Sequence, residues 1–299
     1  MKRLIAAAAA LALALPGCSD EPQAESRFDG GRAFRDLRDQ VEIGARPSRS
    51  GGNAKVVRLI ASRLRAAGAR DVRVQRPWRN VVATIPGSEP GAVVVGAHHD
   101  TKDAVAPEFA GANDGASGVA VVLELARVLA ADGRLSGPSI RLALFDAEEA
   151  RGERPVAEDG ARGSRQYVSY AASGGLQGSP RLQSIRAMVL FDLVGDCDLQ
   201  LPYEASSDPA LYAEFSKAAE TVDGSAAPFA GQAAGVMDDH LPFLDAGIPA
   251  VDLIDFTYGP GPSPGAYWHT AEDTLDKVCP ESLDAVGEAA VRALERVGG

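Results

Sequence analysis

The sequence predicts an α/β protein, a sandwich of helices over a mostly parallel sheet. Three observations predict it. Residues 92–97 are a continuous apolar run, and 140–145 and 187–193 are apolar but for Arg141 and Asp192, the pattern of strands buried on both faces. Segments with helical apolar spacing alternate with them. Each run also leads into His, Asp or Glu residues, and in open α/β sheets ligands bind beyond the carboxyl ends of the strands.

In chain order, residues 32–46 and 54–67 read as helices. Val57, Ile60, Leu64 and Ala67 share one face of the second, and Gly68 ends it. Residues 72–74 and 80–85 read as strands, and Pro86-Gly87-Ser88 as a turn. The 92–97 strand runs into His98-His99-Asp100. A helix follows over 118–130, then the 140–145 strand, ending in Asp146-Ala147-Glu148-Glu149. The 187–193 strand carries Asp192. A helix over 208–223, a strand over 250–254 and a closing helix over 281–297 complete the pattern, with no internal repeat.

Composition bounds the function. The chain is 45% hydrophobic and 24% charged, an ordinary globular balance. Its net charge of −11 argues against nucleic acid and against anionic membrane surfaces as partners. Lys2 and Arg3 precede an apolar run over 4–15, too short to span a bilayer at about 12 residues and suited to a signal peptide. The Leu15-Pro16-Gly17-Cys18 ending is similar to a bacterial lipoprotein signal with Cys18 as the lipidated residue. The expected organisation is a signal segment over 1–18, a polar tether over 19–29 and one catalytic domain over 30–299. The expected location is the periplasm or cell envelope, otherwise the secreted fraction, with the membrane met only through the lipid on Cys18. Outside the cytoplasm Cys197 and Cys279 can pair. Their sequence separation leaves open whether they come close enough.

The chemistry-bearing residues cluster. The four histidines, His98, His99, His240 and His269, each lie beside carboxylates. His98 and Asp100 share a face of an extended segment, so Asp100 can orient the His98 ring by accepting its second N–H. Asp114 lies in the Gly-rich stretch 111–118. A phosphate loop there fails, because no GxGxxG or GxxxxGK is present and an Asp would repel phosphate. Adjacent Glu148 and Glu149 repel unless a cation intervenes, which suits one as ligand and the other as general acid/base. Asp192 ends an apolar strand and needs a partner or a metal. Trp268 beside His269 can floor a pocket while the histidine ligates. Mixed His and carboxylate ligands suit catalytic zinc, and no Gly-x-Ser-x-Gly elbow supports serine catalysis.

In order, Gly-Ala-His98-His99-Asp100, Ala-Asn-Asp114, Glu148-Glu149, Asp192, Asp239-His240-Leu-Pro-Phe and His269 resemble the zinc aminopeptidase family that includes the glutaminyl cyclases. The likeness covers about residues 30–297. It implies a three-layer sandwich whose central, mostly parallel, mixed sheet is flanked by helices, as in zinc exopeptidases. Phe145-Asp146-Ala147-Glu148-Glu149, Asp238-Asp239-His240-Leu241-Pro242-Phe243 and Trp268-His269-Thr270 look more like the cyclase branch. On that likeness Asp114, Glu149 and His269 are the zinc ligands and Glu148 the acid/base. Asp238 supports proton transfer, while Trp268 and His240 contact substrate. The animal cyclases carry a His where this chain has Asp252, and a Trp shortly after the Glu pair where this chain has Arg151-Gly152-Glu153-Arg154.

The cyclase branch implies one Zn²⁺ and conversion of an N-terminal glutamine to pyroglutamate with release of ammonia. The aminopeptidase branch implies two, with His98 and Asp192 completing a second site, Asp114 bridging and Glu148 as base in hydrolysis. In both, the partners are peptide or protein N-termini. A non-catalytic module on the same fold would be expected to lack the Glu pair, which is present here.

Overall fold

The computed structural model describes residues 27–106, 109–131, 133, 135–223 and 228–297. The signal segment and Cys18 lie outside the described residues. The elements are α1 (Gly30–Val41), α2 (Gly51–Ala66), β1 (Arg70–Val74), β2 (Val81–Ile85), β3 (Gly87–His98) and α3 (Ala116–Ala131). Then come β4 (Leu135–Phe145), α4 (Val156–Asp159), α5 (Arg162–Ala172), β5 (Ile185–Asp192), β6 (Tyr203–Glu204) and α6 (Pro209–Asp223). The chain closes with β7 (Gln232–Ala233), α7 (Leu241–Asp245), β8 (Ala250–Ile254) and α8 (Pro280–Leu294).

Six strands form one sheet in the order β1-β2-β4-β3-β5-β8. β4, β3, β5 and β8 run parallel, while β1 and β2 pair antiparallel at one edge. The alternation along each strand builds two cores. Ile140, Leu142 and Leu144 of β4 join Ala187, Val189 and Phe191 of β5 under α1, α2, α3, α6 and α8. Ala143, Phe145, Met188 and Leu190 face the other way, against Tyr167 of α5 and Phe243 of α7. Helices therefore cover both faces of a mixed, mostly parallel sheet, as expected. No helix among the described residues is long and apolar enough to cross a membrane.

Four local expectations are corrected. The first helix stops at Val41 instead of reaching Arg46. Gly44 turns the chain at φ +81°, and Pro47 disfavours helix at the residue before it. Arg46 is instead buried, its guanidinium donating to the carbonyls of His99, Ala110 and Gly111. Residues 86–88 do not form a free turn: Gly87 begins β3, pairing with Leu135 across a bulged extension of β4. α5 was not anticipated, since Tyr167 and Ala171 are a sparse apolar signal. Phe28 and Asp29, expected in the tether, belong to the fold. The Phe28 ring is in the core against Gly287, its N–H donates to Glu288, and Asp29 caps α1.

Cys197 and Cys279 are joined in a disulfide with Cα atoms 4.8 Å apart, tying the loop after β5 to the start of α8. The bond closes a long loop, 82 residues in sequence separation. Replacing both cysteines by serine is expected to lower unfolding free energy by about 2–4 kcal/mol, read from urea unfolding with the wild type oxidised.

Candidate metal centre

The carboxyl ends of β3, β4 and β5 deliver His98, the Glu148-Glu149 turn and Asp192 to one rim. Asp114 arrives on the loop that opens α3. Its N–H and that of Asn113 donate to the two oxygens of Asp273, at 3.1 and 2.7 Å, and Tyr258 donates to the same carboxylate at 2.8 Å. Burial and the neighbouring Asp114 push Asp273 up to about 7. Gly115 turns this loop at φ +87°, and a Cβ there would lie 2.8 Å from the Asp100 carbonyl oxygen. Only glycine meets both demands.

The Glu148-Glu149 turn is clamped by the start of α5. Ala147 adopts φ +63°. The carbonyls of Ala147 and Glu148 accept from the N–H groups of Arg162 and Ala161, at 2.9 and 2.8 Å. The carbonyl of Glu149 accepts from the Arg162 guanidinium at 2.9 Å, and Arg162 pairs with Asp159 at 2.5 Å. The Glu148 N–H donates to Asp100 at 3.1 Å. His269 sits at φ +51°, its ring stacked on Trp268 with centroids 3.8 Å apart, and Phe256 packs edge-on against Trp268 at 5.1 Å.

Two triads meet at Asp114. His269 Nε2 is 3.2 Å from Asp114 Oδ2 and 3.0 Å from Glu149 Oε1. His98 Nε2 is 3.2 Å from both Asp114 Oδ1 and Asp192 Oδ1, and its Nδ1 is 3.8 Å from Asp100. Zinc bonds of about 2.0–2.1 Å place neighbouring tetrahedral ligands about 3.3 Å apart, so both triads have the spacing of a metal's donor set. Asp114 Oδ2 is buried and makes no hydrogen bond. Burial and Asp114 push Glu149 up to about 7. Burial lowers the His269 pKa, but Asp114 and Glu149 outweigh it and hold the ring up to about 10. A bound cation would relieve both shifts. The residues fit zinc.

The Asp114–Glu149–His269 triad opens on a cavity of about 240 Å³ that Glu148, Asp192, Asp238 and Trp268 also line. His98 does not reach it and is buried behind Asp114. Cavities of about 480 and 470 Å³ lie elsewhere, and neither holds a ligand triad, so donor chemistry rather than volume marks the site. Burial, Glu149 and Asp238 raise the Glu148 carboxyl well above the usual range. Asp238 is raised in the same way, by burial and by Asp192 and Asp239.

The family model for peptidase family M28 matches residues 80–294. The chain belongs to peptidase family M28. Within it, the solved glutaminyl cyclase of an Acidobacteriales bacterium superposes with a TM-score of 0.79 at 31% identity, covering 96% of this chain and 99% of that one. The glutaminyl-peptide cyclotransferase of Boiga irregularis is 28% identical over 249 residues, 71% of this chain and 64% of that protein. Aminopeptidase YwaD of Bacillus subtilis (strain 168) is 29% identical over 215 residues, 69% of this chain and 41% of that protein. The chain thus spans 64% of the first of these curated relatives and 41% of the second.

The structure brings together every M28 candidate named from sequence except His240. That ring is fully buried and does not line the cavity. Its Nε2 meets Ser206 Oγ at 2.9 Å and Glu204 at 3.5 Å, and its Nδ1 lies 3.6 Å from Asp252. The short helix α7 begins just after it and packs Phe243 into the core, leaving His240 beneath the site. Reading the sequence missed Lys102, 3.9 Å from Glu149, and the cavity residues Phe256, Ile254 and Val236. The HxDxK spacing from His98 to Lys102 was the one available signal for the first.

Glu204 gives a test of this buried support. Burial pushes its carboxyl up, but bonds from His240, Ser206, Ser207 and the Val236 N–H outweigh that and hold it at about 2, below its ordinary 4.5. A depressed folded-state value means the contribution is present above about pH 4.5 and is lost as pH falls toward 2. Glu204→Gln is expected to flatten the acid limb of the stability curve across that window, measured as urea midpoints. An unchanged limb contradicts it.

Proposed function

We propose that the protein is a zinc-dependent glutaminyl-peptide cyclotransferase, closing an N-terminal glutamine to pyroglutamate with loss of ammonia. The observation that carries this reading is the asymmetry of the two triads. Asp114, Glu149 and His269 all line the cavity beside Glu148, whereas in the other triad Asp114 and Asp192 line it and the buried His98 does not. One accessible metal site suffices for a reaction whose nucleophile is the substrate's own amine. The likeness to the Acidobacteriales cyclase, over nearly the whole of both chains, supports the same reading.

Asp114, Glu149 and His269 would hold the zinc, which supplies Lewis-acid polarisation of the γ-carbonyl. The cavity walls fold the glutaminyl side chain so that its γ-carbon meets the α-amine of the same residue. Glu148 accepts the proton that the amine sheds as the C–N bond forms, and returns it to the departing amide nitrogen, which leaves as ammonia. Its raised pKa suits both halves of that exchange. Asp238, buried on the same wall, holds Glu148 in its high-pKa state and supports the transfer. Trp268, braced by Phe256, packs against the substrate. The Cys197–Cys279 disulfide supports placing the protein outside the reducing cytoplasm, in keeping with export and lipidation at Cys18.

The His98–Asp114–Asp192 triad favours the second reading, a two-zinc aminopeptidase. Incubating the zinc-loaded protein with Gln-peptides and with aminoacyl-naphthylamides separates the two. Ammonia release with a blocked product N-terminus is the expected result, and release of free amino acid alone sinks the cyclase reading.

A further inference from the structure

The catalytic cavity is not closed on all sides. A second cavity of about 390 Å³ shares Gly235, Val236, Ile254 and Phe256 with it, so the two form one groove. Beyond that shared wall it is lined by residues such as Gln200, Pro202, Ala233, Ala234, Thr257 and Ser263, and among the described residues none that lines it carries a charge. That is unusual in a chain that is 24% charged with a net charge of −11. A further cavity, sharing Val156, Met237 and Asp238 with the catalytic one, is only about 120 Å³ and carries Arg165 and Asp245.

The uncharged wall is held in place. β6 and β7 pair Tyr203 with Gln232 and Glu204 with Ala233. The Val236 N–H donates to the buried Glu204 carboxylate at 2.8 Å, and Gly231 accepts from the Tyr203 N–H at 3.1 Å. Phe256, between the two cavities, is braced by Trp268 at 5.1 Å, and its carbonyl accepts from Ser263 at 2.8 Å. The groove therefore exists before any ligand enters, so little ordering cost falls on binding.

We propose that this second cavity is the subsite for the peptide residues that follow the N-terminal glutamine, and that it selects uncharged side chains there. The inference rests on the cyclase reading and deepens it. With the glutaminyl side chain at Glu149 and His269, the peptide leaves past Phe256 and Val236 into the larger, uncharged arm of the groove. A lysine or aspartate in the next position would meet no opposite charge in that wall to offset the hydration it loses. The protein is thus built for peptides with uncharged second residues rather than for free glutamine.

The test compares kcat/KM, by ammonia release, for glutaminamide and for Gln-Ala, Gln-Lys and Gln-Asp tripeptide amides. Wild type is expected to prefer the Ala peptide over both charged ones by about tenfold or more. Ala234→Asp, at an exposed wall position outside the catalytic machinery, is expected to improve the Lys peptide and worsen the Asp peptide. It should leave glutaminamide unchanged. Equal efficiency for all three peptides, or an Ala234→Asp effect of the same size on glutaminamide, overturns the subsite while the cyclase reading stands. No ammonia from glutaminamide or from any of the peptides overturns both.

Discussion

Glu148→Gln is expected to lower kcat by about 10²–10⁴-fold while the protein keeps its zinc and its fold. Of the titratable groups on the cavity wall, Glu148 and Asp238 belong to neither donor set, and Glu148 is the chain neighbour of the ligand Glu149. Gln fills the same volume, and the backbone bonds that clamp this turn, from Ala161 and to Asp100, are indifferent to the substitution. What is lost is the capacity to accept and return a proton. KM should move little, because binding does not depend on that proton. Stopped-assay kinetics with zinc quantified on the same sample checks it. Near-wild-type turnover with full zinc content contradicts the role given to Glu148.

Asp114→Ala is expected to have the second largest effect. Asp114 is the only residue shared by the two triads, and its two oxygens point to different histidines. Loss of a hydrogen-bonding partner around a metal already costs about 10–100-fold in affinity, so loss of a ligand should exceed that. Chelator competition should show zinc affinity reduced by more than about 100-fold, and activity falling with it. His98→Ala is the contrasting variant. Because His98 belongs only to the other triad and does not line the cavity, this variant should retain the zinc held by Asp114, Glu149 and His269. Loss of half the metal and most of the activity from His98→Ala would point to two working zincs.

Much of this site could be read from the sequence because strands buried on both faces are hard to mistake. The apolar runs that became β3, β4 and β5 end at the residues that supply His98, the Glu pair and Asp192. The fold rule that ligands gather at those ends did the rest. Asp114 and His269 lie on loops, where no periodicity exists, and family likeness rather than spacing selected them. What stayed hidden depends on side-chain direction. Family likeness put His240 among the substrate contacts, yet the turn into α7 sends its ring to Ser206 and Glu204. Asp273 carries the Asp114 loop from far along the chain, and no local pattern marks it. The end of the first helix was legible in Gly44 and Pro47, and apolar spacing wrongly carried it to Arg46. The disulfide needed the distance between two loops that only folding supplies.

Anomalous diffraction at the zinc edge, on crystals of the zinc-loaded protein, decides between one zinc and two. One strong peak is expected between Asp114, Glu149 and His269, and none between His98 and Asp192. A second peak of equal strength at His98, or an empty Asp114–Glu149–His269 triad, would contradict it.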